Sequence, residues 1–105
     1  MADLYKDGEY IEVTLTKNTK VGDIVPLKNM CGVAQQNGVA GDEIVVAITK
    51  TYFEVAKVDD VIEVGDKLFW DGTQAVLDTT DNTYLGLALR PKADGESEVL
   101  FKLNG

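Results

Sequence analysis

Carboxylates are the commonest reactive groups in this chain, and the residues around them limit what they can do. Of 105 residues, 18 are Asp or Glu, 10 are Lys or Arg, and none is His. Without an imidazole, a serine or cysteine nucleophile lacks its usual base, and the commonest transition-metal ligand is missing. What remains is carboxylate chemistry, either an acid–base pair or a hard-cation site. Two Val-Gly-Asp triplets, at 21–23 and 64–66, place an aspartate in the same local setting twice. Glycine supplies the positive φ of a tight turn, and the neighbouring carboxylate accepts backbone N–H groups there. Gly22, Asp23, Gly65 and Asp66 therefore read as structural turn residues. Nothing in the spacing sets Asp23 and Asp66 at the separation of a glycosidase pair. Asp71, Asp78 and Asp81 form an acidic cluster without the alternating spacing of a calcium loop. They read as solvated loop acids, with Asp71-Gly72 as a hairpin turn.

The other reactive side chains offer less. Cys31 is the single cysteine, so it has no internal disulfide partner, which fits a reducing compartment. Beside Gly32 it reads as a small core residue rather than a nucleophile. No glycine is followed by Lys-Ser or Lys-Thr, so a nucleotide-cradling loop has no support. Biotinyl and lipoyl carrier hairpins also open on Val-Gly-Asp, but the nearest lysine context, Lys28-Asn29-Met30, has the wrong order. Tyr52 and Phe53 lie between Lys50 and Lys57 and could stack bases. A net charge of −8 repels phosphate backbones, so no nucleic-acid partner is expected. No apolar run reaches membrane-spanning length, and no basic start followed by an apolar run reads as a signal peptide. No cofactor and no metal are expected, and no enzymatic activity.

The elements that position these residues are short strands. Residues 10–16 alternate, with Ile11, Val13 and Leu15 on one face and Tyr10, Glu12 and Thr14 on the other. Ile24-Val25-Pro26-Leu27 reads as an edge strand, because Pro26 cannot donate to a ladder. Short strands follow at 31–34, 43–49 and 51–55. The stretch 56–63 is ambiguous, with Asp59 able to cap one helical turn. Residues 67–70 form an aromatic strand, and 73–77 return beside it after Asp71-Gly72. Strands at 84–89 and 97–103 close the chain. The pattern is all-β: a small β-barrel or β-sandwich of about eight to nine short strands, with at most one short helical turn. Residues 1–9 read as an N-terminal arm and 10–105 as a single domain. Trp70 and Phe69 read as a core anchor or an interface contact, and for Trp70 the core is favoured because Leu68 lies on the same strand face at period two.

An internal echo runs through these strands. The Val-Gly-Asp triplets are 43 positions apart (64 minus 21). The Gly-aliphatic-Ala triplets at 32–34 and 86–88 are 54 apart (86 minus 32). The second copy therefore carries 11 extra residues (54 minus 43), and the Trp70 hairpin is their natural place. The echo reads either as two pseudo-repeated β-units or as a coincidence of common strand-entry residues.

The order of these segments resembles the DUF2190 family of small tailed-phage and prophage proteins across essentially the whole chain. The segments are Val21-Gly22-Asp23-Ile24-Val25, Gly32-Val33-Ala34, Phe53-Glu54-Val55-Ala56-Lys57, then Gly65 through Asp71 matching Gly-x-x-hydrophobic-aromatic-Trp-Asp, and Tyr84-Leu85-Gly86-Leu87-Ala88. The resemblance implies a virion structural protein, encoded near the major capsid protein, that decorates or cements the capsid exterior. It would be made in the bacterial host cytoplasm. The family has no catalytic residues to carry over. By analogy with small capsid decorators, the major capsid protein is the expected partner and a homotrimer the expected assembly. The competing expectation is another phage or host binding module, a tail- or fibre-associated or carbohydrate-binding β-domain. Tyr5, Tyr10, Tyr52 and Trp70 in an all-β frame are what favour it.

Overall fold

The computed structural model describes residues 9–105, in which nine strands and no helix form two antiparallel sheets. The expected arm at 1–9 lies, apart from Glu9, outside the described residues. The first sheet contains β1 (Tyr10–Thr14), β2 (Ile24–Pro26), β3 (Cys31–Ala34) and β4 (Glu43–Ala47), in the order β1-β4-β3-β2. The second contains β5 (Thr51–Val55), β6 (Lys67–Trp70), β7 (Ala75–Val76), β8 (Thr83–Ala88) and β9 (Glu98–Leu103), in the order β5-β9-β8-β6-β7. Neither sheet closes into a barrel, so the barrel alternative gives way to a two-sheet arrangement. At β2 the reason is visible. The Leu27 N–H bonds back to the Met30 carbonyl, which leaves residue 26 facing the free edge, and Pro26 has no N–H to offer there. The ambiguous stretch 56–63 is not a helical turn. It holds a turn closed by the Asp60 N–H on the Lys57 carbonyl, and an isolated bridge pairing Ile62 with Lys92.

Omitting β7, the two sheet orders are the same, with β5, β6, β8 and β9 standing for β1, β2, β3 and β4. The registers agree as well. Tyr10–Ala47–Val33–Ile24 forms a row across the first sheet, and Thr51–Lys102–Leu87–Lys67 forms the matching row across the second. The Gly22 N–H donates to the Ala34 carbonyl at 2.9 Å, and the Gly65 N–H to Ala88 at 2.8 Å. The chain is thus two copies of a four-strand unit, and β7 lies in the unequal segment between β6 and β8. β7 pairs with β6 through Phe69–Val76 and Trp70–Ala75, and Ala75 also bridges Ala56 at the end of β5.

The two units are nested rather than mirrored. Tyr10, Ile24, Cys31, Val33 and Ala47, from one face of the first sheet, share a core with Leu68, Leu85, Ala88, Val99, Phe101 and Leu103 of the second. The other face of the first sheet carries a separate cluster built on Leu15, Ala34, Ile44 and Val46. In the repeat, Ile44 and Val46 match Val99 and Phe101 (each 55 positions on), and Ala34 matches Ala88 (54 on). The face that covers the second unit's interior is therefore the back of the first unit. Two polar side chains fasten the fold, Asn104 across the units and Lys92 within the second. Asn104, left-handed at φ 54°, donates to the carbonyls of Cys31 and Ile48 at 2.8 and 2.9 Å. Lys92, only 1% exposed, turns its Nζ onto the carbonyls of Val58, Asp60 and Ala93. Burying an amine is tolerable only because those oxygens replace water.

Candidate functional site

Each glycine–acid turn uses its carboxylate in the same way. Asp23 Oδ2 accepts the Lys20 N–H at 2.9 Å, and Asp66 Oδ2 accepts the Glu63 N–H at 2.8 Å. Gly22 and Gly65 take φ of +90° and +91°, which a Cβ would disfavour. Two further turns repeat the geometry: Val39 N–H to Asp42 Oδ2, and Ala93 N–H to Glu96 Oε1, both 2.9 Å. Thr19–Gly38 and Ile62–Lys92 bridges set these four turns in two pairs, one pair per unit. A carboxylate bound to its own turn in this way is a fastening, with one oxygen committed to the backbone.

The hairpin acid is bound still more closely. Asp71 Oδ1 accepts from the Thr73 N–H and the Gln74 N–H, both at 2.8 Å, and from Thr73 Oγ1 at 3.1 Å, while Gly72 sits at φ +109°. Burial works to raise the Asp71 carboxyl, but the hydrogen bonds from Thr73 and Gln74 outweigh it and hold the group below its ordinary value. A shallow cavity of about 310 Å³ beside it is lined by Asp60, Asp71 and Asp78 among others. Asp60 and Asp78 are likewise turned to backbone N–H groups, of Leu77 and Thr80. Asp81 does not line this cavity, and no cluster of three metal-ligating side chains occurs among the described residues. Cys31 is fully buried, and burial pushes its thiol up to about 12. At neutral pH it carries no thiolate to attack with.

A second hollow, about 510 Å³, lies where the 17–24 segment of the first unit meets the Trp70 hairpin of the second. Lys17, Asp23, Glu54, Trp70 and Thr73 line it. Trp70 is half-buried, with part of its ring against the shared core and part on this crevice. Phe69 packs edge-on to Tyr84, with ring centroids 5.7 Å apart, and the β6–β8 register shifts between Leu68 and Phe69. Glu54 was not singled out by sequence. Its place in alternation with exposed Phe53 and Val55 is the signal that turns it inward. The Glu54 carboxyl is raised, first by burial, then by the nearby Asp23 and Glu98 charges, against a hydrogen bond from the Val55 N–H. The crevice combines an aromatic wall with polar groups and can hold a ligand, but it assembles no nucleophile with a base.

Several apolar side chains lie outside both cores. Val21 and Val64 are 61% and 64% exposed at equivalent turn positions. Phe53 is exposed under the Arg90 guanidinium, 5.7 Å from its ring centroid, whereas Tyr52 turns inward onto Phe101. The two do not form a joint base-stacking platform. A family model described as phage cement protein matches residues 5–103. No curated protein and no solved structure matches the chain.

Proposed function

The chain belongs to the phage cement protein family, a structural family associated with the capsid, and from that membership we propose that it decorates and stabilises the exterior of a phage capsid shell. The observation that carries this reading is the extent of the match, residues 5–103. The chemistry is compatible. Asp23, Asp66 and Asp71 serve their own turns, Cys31 is inert, and the role asks for a stable, soluble β-domain rather than an active site. On this reading Gly22, Gly65 and Gly72 are structural, and Trp70 and Phe69 act as anchors of the hairpin. Residues 10–105 act as one domain with 1–9 as an arm reaching onto the shell or a neighbour. The protein is made in the host cytoplasm, binds the major capsid protein, and assembles as a homotrimer, the closed ring suited to a local symmetry axis.

The test is to add purified protein to shells that lack it. Stoichiometric binding, with shells that withstand more heating, is the expected result, and failure to bind mature shells would remove the reading. The Trp70 crevice favours one other reading, a carbohydrate-binding module. Quenching of Trp70 fluorescence by a glycan, with no binding to shells, would establish it instead.

A further inference from the structure

The duplicated unit contains its own control for what the back of a sheet does. In the first unit the row Tyr10–Ala47–Val33–Ile24 lies on the back and is buried against the second unit. The matching row of the second unit is Thr51–Lys102–Leu87–Lys67, and its lysines are exposed. Beside this row the same face continues through Phe53, Val55 and Leu89, which are 59%, 49% and 39% exposed, and through half-buried Leu100. Strand alternation sets them opposite the buried Ala88, Val99 and Phe101. Arg90 stacks on Phe53, so the face carries Lys67, Lys102 and Arg90 against one acid, Glu98. A local excess of cations on a chain of net charge −8 is a marked asymmetry.

We propose that this outer face of the second sheet is the shell-docking surface. Its partner is a capsid surface with an apolar centre ringed by carboxylates. The proposal rests on the capsid-decoration reading and says which side of the molecule performs it. Phe53, Leu89 and Leu100 would enter the apolar centre, and Arg90, Lys67 and Lys102 would meet the carboxylate rim, the layout of a typical protein interface. Lys67 and Lys102 stand where the first unit has Ile24 and Ala47. They exclude a second copy from docking here in the way the two units dock on each other, because an unpaired lysine in that contact would be desolvated without a partner.

The experiment measures binding of the full chain to shells that lack it, for the wild type, Arg90→Glu/Lys102→Glu, Phe53→Ser and, as a control on the first unit, Val39→Ser. Circular dichroism checks each fold, and light scattering checks each assembly state. The expected result is at least about tenfold weaker binding for the charge reversal and for Phe53→Ser, with Val39→Ser unchanged. Wild-type binding should also weaken as salt screens the cations. Folded variants that bind within about twofold of the wild type would overturn the proposal while leaving the decoration reading intact. Variants that lose self-association, if the wild type self-associates, would assign the face to a copy–copy contact and also overturn it. A wild type that does not bind shells would instead defeat the decoration reading itself.

Discussion

At the scale of single residues, the informative side chains are polar groups held inside the fold. Glu54 is raised because burial and the Asp23 and Glu98 charges disfavour its ionised form. Its folded pKa thus exceeds its unfolded one, and in that window the unfolded state binds fewer protons. Stability therefore falls as pH rises from the ordinary glutamate range through the raised value. Glu54→Gln should accordingly raise the melting temperature at pH 7 and give no gain at pH 3, as calorimetry across pH would show. Lys92 is the opposite case, a polar group the fold needs. Lys92→Ala leaves the Asp60 carbonyl without its donor, while those of Val58 and Ala93 keep the Gly95 and Glu96 N–H groups, and it empties the space of a buried side chain; it should cost about 2–4 kcal/mol, read from urea unfolding. Neither residue declared itself in the sequence. A glutamate between Phe53 and Val55 and a lysine after Pro91 both look solvated until the strand and turn that bury them are placed.

At the scale of elements, the sequence was most legible where alternation is strict. Tyr10–Thr14 and Glu98–Leu103 fall within the stretches that pattern predicts, and Glu43–Ala47 within the one its β-branched residues predict. Pairing was not legible, because β1 meets β4 and β5 meets β9 across intervening strands, and alternation carries no partner information. The four equivalent turns were hidden for a related reason. Two share Val-Gly-Asp, but the others have Ala40-Gly41-Asp42 and Asp94-Gly95-Glu96, so the sequence shares no more than a glycine–acid pair and the backbone geometry is what makes them one motif. The repeated Gly-aliphatic-Ala triplet has a steric cause. A Cβ on Gly86 would lie 2.1 Å from the Lys102 carbonyl oxygen, and one on Gly32 would lie 2.8 Å from a Val46 methyl. Backbone cannot give as a side chain can. Gly86→Ala should cost more than about 3 kcal/mol or prevent folding, and Gly32→Ala should cost about 1–3 kcal/mol, compared by urea midpoints.

At the scale of the whole molecule, a nested pair of similar units poses a question about where stacking stops. The outer face of the first unit is apolar, with Ile11, Val13, Val25 and Ile48 half-buried on it. A third unit could dock there if another copy offered the right back face, and such a head-to-tail contact generates open filaments. Lys67 and Lys102 put charge where Ile24 and Ala47 allow docking, as polar caps do at the ends of repeat arrays. The double substitution Lys67→Ile/Lys102→Ala should make the average mass rise with concentration in light scattering, while the wild type holds constant. The candidate crevice was the least legible feature at this scale. It forms between segments some fifty positions apart in sequence (70 minus 17), and only the nesting of the units brings Trp70 to Lys17 and Asp23.

Asn104 carries a consequence for when the protein can fold as it is synthesised. Its amide bonds Cys31 and Ile48, partners 73 and 56 positions earlier in the chain. The first unit has all its strands by Ala47, yet the link between its third strand and its exit segment is made by a residue translated much later. Nascent chains arrested before Asn104 emerges from the ribosome should stay open to protease throughout the first unit, and release should protect both units together. Assembly onto a shell would then begin only with finished molecules, which spares a growing particle from being coated by half-made ones.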